Sequence, residues 1–289
     1  MKKVGIIDNY ISNWHSNTYY KLFHEIAQEE GSEEYVITHI YTVNGVSHSN
    51  GETTEQWCER TGAVACETIK EVCDAVDVIM VLAPNNPEMH EELCKEPLKS
   101  GKCVYVDKTF APDYASAKRI IDYGRENGAN FWSSSATRFE PALKEFLSDN
   151  PPEVSNFAVS CGNVFEIYII HLVELMNTFM KNGAKSVICR NNGVILVFEV
   201  TFKDGRKAFI NQHQGASGPF YCHPEIDGKC KPYCCKDEFW KGFAKAILEF
   251  FETGKAPIPL ENTLECIAVR SALVKAKENP NVEIEVEGN

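Results

Sequence analysis

Val78-Ile79-Met80-Val81-Leu82-Ala83, closed by Pro84-Asn85-Asn86-Pro87, is the stretch on which the fold turns. An unbroken apolar run of that length, ended by proline, is too short for a buried helix and right for a strand covered on both faces. Working outward, the same signal recurs at Val4-Gly5-Ile6-Ile7, at Tyr35–Tyr41, at Cys103–Val106 and at Asn130–Trp132. Between these runs lie segments with helical spacing. Tyr19, Leu22, Phe23 and Ile26 form one such stripe, with Gly31 as its stop, and helices are expected over Glu67–Cys73, Glu88–Lys99 and Asp113–Glu126. Strands alternating with helices predict an α/β, Rossmann-like, doubly wound parallel sheet.

After about Ser135 the rhythm changes. A helix is expected over Pro141–Leu147, a strand over Val154–Ser160 and a helix over Tyr168–Met180. Three strand-like runs follow (Ser186–Cys189, Val194–Phe202, Lys207–Gln212), separated by the hairpin signals Asn191-Asn192-Gly193 and Lys203-Asp204-Gly205. Two helices, Asp237–Glu252 and Glu261–Lys277, close the chain. The expectation is residues 1–134 as the Rossmann-like domain and residues 135–289 as an α+β substrate and oligomerisation domain with a mainly antiparallel sheet.

The 289 residues carry a net charge of −12, which repels a phosphate backbone and argues against a nucleic-acid partner. No apolar run approaches the roughly 18 residues of a membrane span, and the first residues lack the apolar core of a secretory signal, so a cytoplasmic protein is expected. The 12 cysteines are about 4% of the chain, below a disulfide scaffold, and are expected as reduced thiols. His213, Cys222, His223, Cys230, Cys234 and Cys235 invite a zinc reading, but their gaps are uneven for a tetrahedral site. A mobile thiol loop and no metal are expected.

Four segments resemble the glucose–fructose oxidoreductase/inositol dehydrogenase (Gfo/Idh/MocA) family. Ala83-Pro84-Asn85-Asn86-Pro87-Glu88-Met89-His90 is similar to its T-P-N-x-x-H turn, and Gly101–Thr109, reading GKCVYVDKT, to G-K-H-V-x-x-E-K-P. Arg138-Phe139 resembles its R-[FY], and Tyr168-Ile169-Ile170-His171-Leu172-Val173-Glu174 its D-x-G-x-H-x-x-D segment. The resemblance implies NAD or NADP at the C-terminal edge of the first sheet, against Asp8, Tyr10, Asn13, Ala83, Pro84, Asn85, Asp107 and Lys108. It also implies a sugar-like or polyol substrate, bound with help from His15, Arg138 and Tyr168, and a homo-oligomer. Lys108 and His171 would be the acid–base pair, with Glu174 beside His171. Removing hydride from an alcohol requires its proton to leave as well, and a buried lysine or a histidine can take it.

The chain departs from the family at the nucleotide end. The glycine fingerprint G-x-G-x-x-G falls on Asp8, Tyr10 and Asn13, without a glycine. No acid follows the second strand until Glu52, Thr109 replaces the proline after the lysine, and Ile167 stands where the Asp before the histidine should be. Weak dinucleotide binding is therefore expected. Two rivals keep their place: a lyase or isomerase using the same residues without soluble nicotinamide, and a non-catalytic binding protein whose cofactor site Asp8 and Tyr10 have filled. The bland readings are a solvated Lys108, a core His171, an Asp8 bonded to turn amides, and Asn13 or Ser16 as a helix cap.

Overall fold

The computed structural model describes residues 1–31, 34–236 and 239–288. It divides into two compact units: residues 1–111, 115–134 and 244–260, and residues 112–114, 135–243 and 261–288 with the chain end. The return of 244–260 to the first unit is not foreshadowed by the single boundary at residue 134. Its cause is apolar: Phe250 meets Trp132 edge-on and Phe251 stacks on Tyr35.

In the first unit β1 (Lys2–Asp8), β2 (Tyr35–Thr42), β3 (Val64–Ala65), β4 (Val78–Val81), β5 (Cys103–Val106) and β6 (Asn130–Trp132) form one six-stranded sheet. Its order is β3-β2-β1-β4-β5-β6 and each neighbouring pair is parallel. Val4, Ile6, Ile79, Met80, Val104 and Tyr105 are fully buried, as strands covered on both faces require. Gly5 is fixed by packing: a Cβ there would lie 2.5 Å from Val72 of helix α3 (Ile69–Ala75).

Helix α1 (Trp14–Glu30) ends at Gly31 in the left-handed conformation, as its sequence signals. The helix expected over Glu88–Lys99 is broken. A 3-10 turn at Pro87–Met89 runs into the single turn α4 (His90–Leu93), and Pro97, which has no N–H to continue the ladder, opens a second 3-10 turn. Helix α2 (Thr54–Thr61) and β3 went unread, because TEQWCERT carries one large apolar residue, Trp57. Helix α5 spans Tyr114–Glu126.

The second unit holds an eight-stranded sheet. Its strands are β7 (Asn156–Gly162), β8 (Ala184–Asn192), β9 (Ile195–Phe202), β10 (Lys207–His213), β11 (Phe220–Ile226), β12 (Lys229–Cys230), β13 (Tyr233–Cys235) and β14 (Glu283–Glu285). The order is β12-β11-β7-β10-β9-β8-β14, with β13 on β11; β7–β10 is the parallel pair and the others are antiparallel. The thiol loop is corrected: Cys222 sits in β11 and Cys234 and Cys235 in β13, so these residues are paired strand, and Cys222 and Cys235 are buried. Helix α6 (Phe165–Met180) begins three residues before the expected Tyr168. The expected helix at Pro141–Leu147 is a 3-10 segment. Helix α7 is described over Phe239–Thr253, so its expected start at Asp237 lies outside the described residues, and α8 spans Leu260–Glu278. No described helix is long and apolar enough to cross a membrane.

Candidate functional site

The C-terminal ends of β1, β4 and β5 gather the polar side chains of the first unit, where open parallel sheets bind ligands. Lys108 follows β5 and is 94% buried. Its Nζ donates to the Pro84 carbonyl at 3.2 Å and its backbone N–H to Asp107 Oδ1 at 2.8 Å. Burial pushes the Lys108 ammonium below its ordinary pKa, with Asp107 opposing. The Tyr105 hydroxyl also donates to Asp107 Oδ1, at 2.8 Å.

His15, on the first turn of α1, brings Nδ1 to 2.6 Å from Asp107 Oδ2. Burial, with help from Lys108, holds the imidazole pKa down against Asp107. Asp107 is held below the usual carboxylate range because His15 and Lys108 outweigh the upward push of burial. The contact sets the Asp107 carboxylate against Nδ1, which favours a proton on that ring nitrogen. His90 is fully buried with Nδ1 3.0 Å from the Phe110 carbonyl and Nε2 2.5 Å from that of Leu82. It pins the segment after Lys108 to the end of β4. The Lys108–Thr109 peptide is cis.

The β1–α1 turn is closed by side chains in place of glycines. Asp8 Oδ1 accepts from Asn9 N at 2.7 Å and from Ala83 N at 3.0 Å, and Oδ2 accepts from Asn13 Nδ2 at 2.8 Å. The bond from Ala83 helps hold that residue at φ +46, a left-handed conformation costly for alanine. Asn13 caps α1 by accepting from Ser16 N at 3.1 Å. Asn9 bonds Asn86 at 2.8 Å and Asn44 at 2.6 Å, tying together the loops after β1, β2 and β4. Asn85, expected at a cofactor, is exposed, and half-buried Tyr10 stacks on His48 with ring centroids 5.0 Å apart.

Burial raises the Asp8 carboxyl to about 7, although three N–H donors pull the other way. The fold therefore keeps a proton that the unfolded chain releases as pH climbs past 3.8. Asp8's contribution is complete at low pH and is lost as pH rises through about 7. Urea unfolding of the wild type and Asp8→Asn at pH 4.5 and pH 7.5 checks this. The stability difference in favour of the wild type should shrink at the higher pH, and growth of that difference would mean the three donors outweigh burial.

In the second unit His171 of α6 brings Nδ1 to 2.7 Å from Ser135 Oγ, with its ring between Tyr168 and Phe220 at 5.2 and 5.7 Å. Glu174, also on α6, accepts from Ser135 N at 2.9 Å and from Arg138 Nε. Arg138 is 99% buried; Nη1 reaches Asn177 and Thr178 and Nη2 reaches Asn262 and Cys266. These partners are internal, so Arg138 braces the fold where the sequence reading gave it to substrate. Glu174 is likewise engaged by Arg138 and Ser135, where a role beside His171 was expected. Sequence reasoning noted Glu52 and His90 without giving them a role and did not nominate Asn9, Asn44 or Ser135, whose partners Asn86, Asn9 and His171 lie far along the chain. A buried Glu in the apolar run of α6 was the available signal for Arg138, since such a charge needs a partner.

The turn can be tested against the dinucleotide that the fold implies. A diphosphate rests on the first strand–helix turn, on free backbone N–H groups with no carboxylate facing it. Here the cap is satisfied by Asn13, Asp8 fills the turn, and the Glu52 carboxylate accepts from the Ser12 hydroxyl. The residues at this turn do not fit a diphosphate.

Residues 17–135 match the sequence model described as "Oxidoreductase family, NAD-binding Rossmann fold", Gfo/Idh/MocA. Over those residues the chain is similar to the Gfo/Idh/MocA family. The match begins inside α1, past the strand and turn where this chain departs from the family pattern. No curated protein sequence matches. Among solved structures, a probable dehydrogenase from Thermotoga maritima superposes with a TM-score of 0.78 at 14% identity, over 99% of each chain. Myo-inositol 2-dehydrogenase from Lactobacillus plantarum gives 0.76 at 11%, again over 99% of each. GenD2 from gentamicin A biosynthesis, in complex with NAD, gives 0.79 at 11%, over 99% of this chain and 97% of its own. At such identities the likeness establishes the two-domain Gfo/Idh/MocA fold.

Proposed function

We propose that the chain is an oxidoreductase acting on a sugar-like or polyol small molecule, with Lys108 and His171 as its proton-transfer residues. The observation that carries this is the environment of Lys108: a lysine buried at the C-terminal end of β5, its pKa pressed down by burial, beside the Asp107–His15 contact. A lysine kept from full solvation holds and releases a proton closer to neutral pH than an exposed one. Its partner at the Pro84 carbonyl fixes where the amine sits. A hydroxyl placed within about 3 Å of Nζ could give up its proton there. Ser135 holds the imidazole of His171 through Nδ1, which fixes the orientation of the ring. The similarity of residues 17–135 to an oxidoreductase family and the inositol dehydrogenase among the fold relatives support the substrate class.

The carboxylate-braced turn favours a second reading, in which the same residues isomerise or eliminate without a soluble nicotinamide. Incubating a panel of inositols, aldoses and sugar acids with the protein, with and without NAD⁺ or NADP⁺, separates the two. Turnover that needs added dinucleotide supports oxidation, and turnover without it supports the second reading. No change in any of the panel by NMR overturns the polyol proposal.

A further inference from the structure

The segment after β2 does more than connect it to α2. Residues 43–53 fold back on themselves through the Val46–Thr53 bridge, Ser47 N to the Glu52 carbonyl at 2.9 Å, and Thr54 N to the Gly45 carbonyl at 2.8 Å. The folded segment then bonds across the β1–α1 turn. The Ser47 and Ser49 hydroxyls donate to the Ser12 carbonyl at 2.5 and 3.2 Å, and Asn50 Nδ2 donates to Ser12 Oγ at 3.0 Å. His48 covers Tyr10, and Asn44 holds Asn9. Ser12 is fully buried beneath it.

Glu52 latches the segment. It takes the Ser12 hydroxyl on one side, and on the other Arg60 of α2, whose Nε lies 2.6 Å from Oε1. Arg60 also donates to Asn17 of α1 at 2.7 Å and lies 5.6 Å over the Trp57 ring. The Arg60 guanidinium, with Ser12, holds Glu52 below the usual carboxylate range. The turn is thus roofed by chain, with a fixed negative charge on one side and buried Asp8 on the other.

We infer that residues 43–53 are a built-in strap occupying the place of a dinucleotide's anionic half, so that the first unit excludes NAD and NADP from the β1–α1 turn. The strap matches a diphosphate's chemistry in reverse. Serine hydroxyls and an asparagine amide serve the turn's oxygens, and the Asn9 and Ser16 N–H groups are taken by Asp8 and Asn13. A phosphate arriving there would have to break these bonds and approach Glu52.

The inference bears on the proposed oxidation, since a chain that excludes NAD and NADP favours the second reading, without soluble nicotinamide. Its test uses no substrate and is read separately from the polyol panel. The wild-type protein is titrated calorimetrically with NADH, NADPH and ADP, and hydrogen exchange of the amides of residues 44–54 is followed with and without NADH. Dissociation constants of about 1 mM or weaker are expected for all three, with strap protection unchanged. Binding tighter than roughly 10 µM, a dinucleotide carried through purification in native mass spectrometry, or strap amides deprotected by NADH would overturn it. Glu52→Gln removes the latch charge. Strap exchange should then quicken and ADP affinity rise about tenfold; unlatching without any gain in affinity would show that the strap is not what keeps the nucleotide out.

Discussion

Arg138→Ala is expected to destabilise the protein by about 3–5 kcal/mol, because it strands a buried carboxylate. The Arg138 and Glu174 side chains are only 2% and 5% exposed, and the guanidinium spends its remaining donors on Asn177, Thr178, Asn262 and Cys266. Removing the cation takes away the opposite charge that faces Glu174 in this buried site. Replacing both charges, Arg138→Met with Glu174→Leu, should recover much of the loss, since a well-packed apolar pair avoids both desolvation costs. Guanidinium unfolding of the two variants measures this directly. If Arg138→Ala unfolds at the wild-type midpoint yet weakens substrate binding, the substrate role expected from Arg138-Phe139 is right and the bracing role is wrong.

The sheets were legible where burial alone dictates the residue type. Val4–Ile7, Val78–Leu82 and Cys103–Val106 are apolar because both faces are covered, so each run announced a strand of the parallel sheet. The hairpins of the second unit were announced by Asn-Gly and Asp-Gly. Legibility failed where geometry depends on partners distant in sequence. The strap is a run of Ser, Asn, Gly and His that reads as ordinary loop, and its meaning comes from Ser12 and Arg60, which local periodicity does not connect to it. His15 and Asp107 could be nominated singly but not paired. Asp8 was weighed as a residue bonded to turn amides or one facing a ligand; its contacts with Asn9, Ala83 and Asn13 are of the first kind. The break at Pro97 was written in the sequence, but the apolar spacing of the flanking residues concealed it.

Lys108→Ala should lower kcat/KM on the true substrate by about 10²–10⁴-fold, the usual contribution of a positioned proton-transfer group. Lys108→Arg is the informative companion. Arginine keeps the charge and can still reach a carbonyl such as that of Pro84, but it does not release a proton near neutral pH. A merely anchoring lysine would therefore be rescued by arginine, and a proton-transferring one would not. Asp107→Asn adds a test through pH. Asp107 is the group that holds the Lys108 pKa up against burial. Removing its charge should carry the Lys108 limb of the rate profile to lower pH, and movement to higher pH would show that this limb belongs to another residue. His171→Ala should cost a similar loss in rate with little change in melting temperature. A fall in stability of about 1–3 kcal/mol with turnover retained would instead make His171 a packing residue, leaving Lys108 as the acid–base group that the geometry supports.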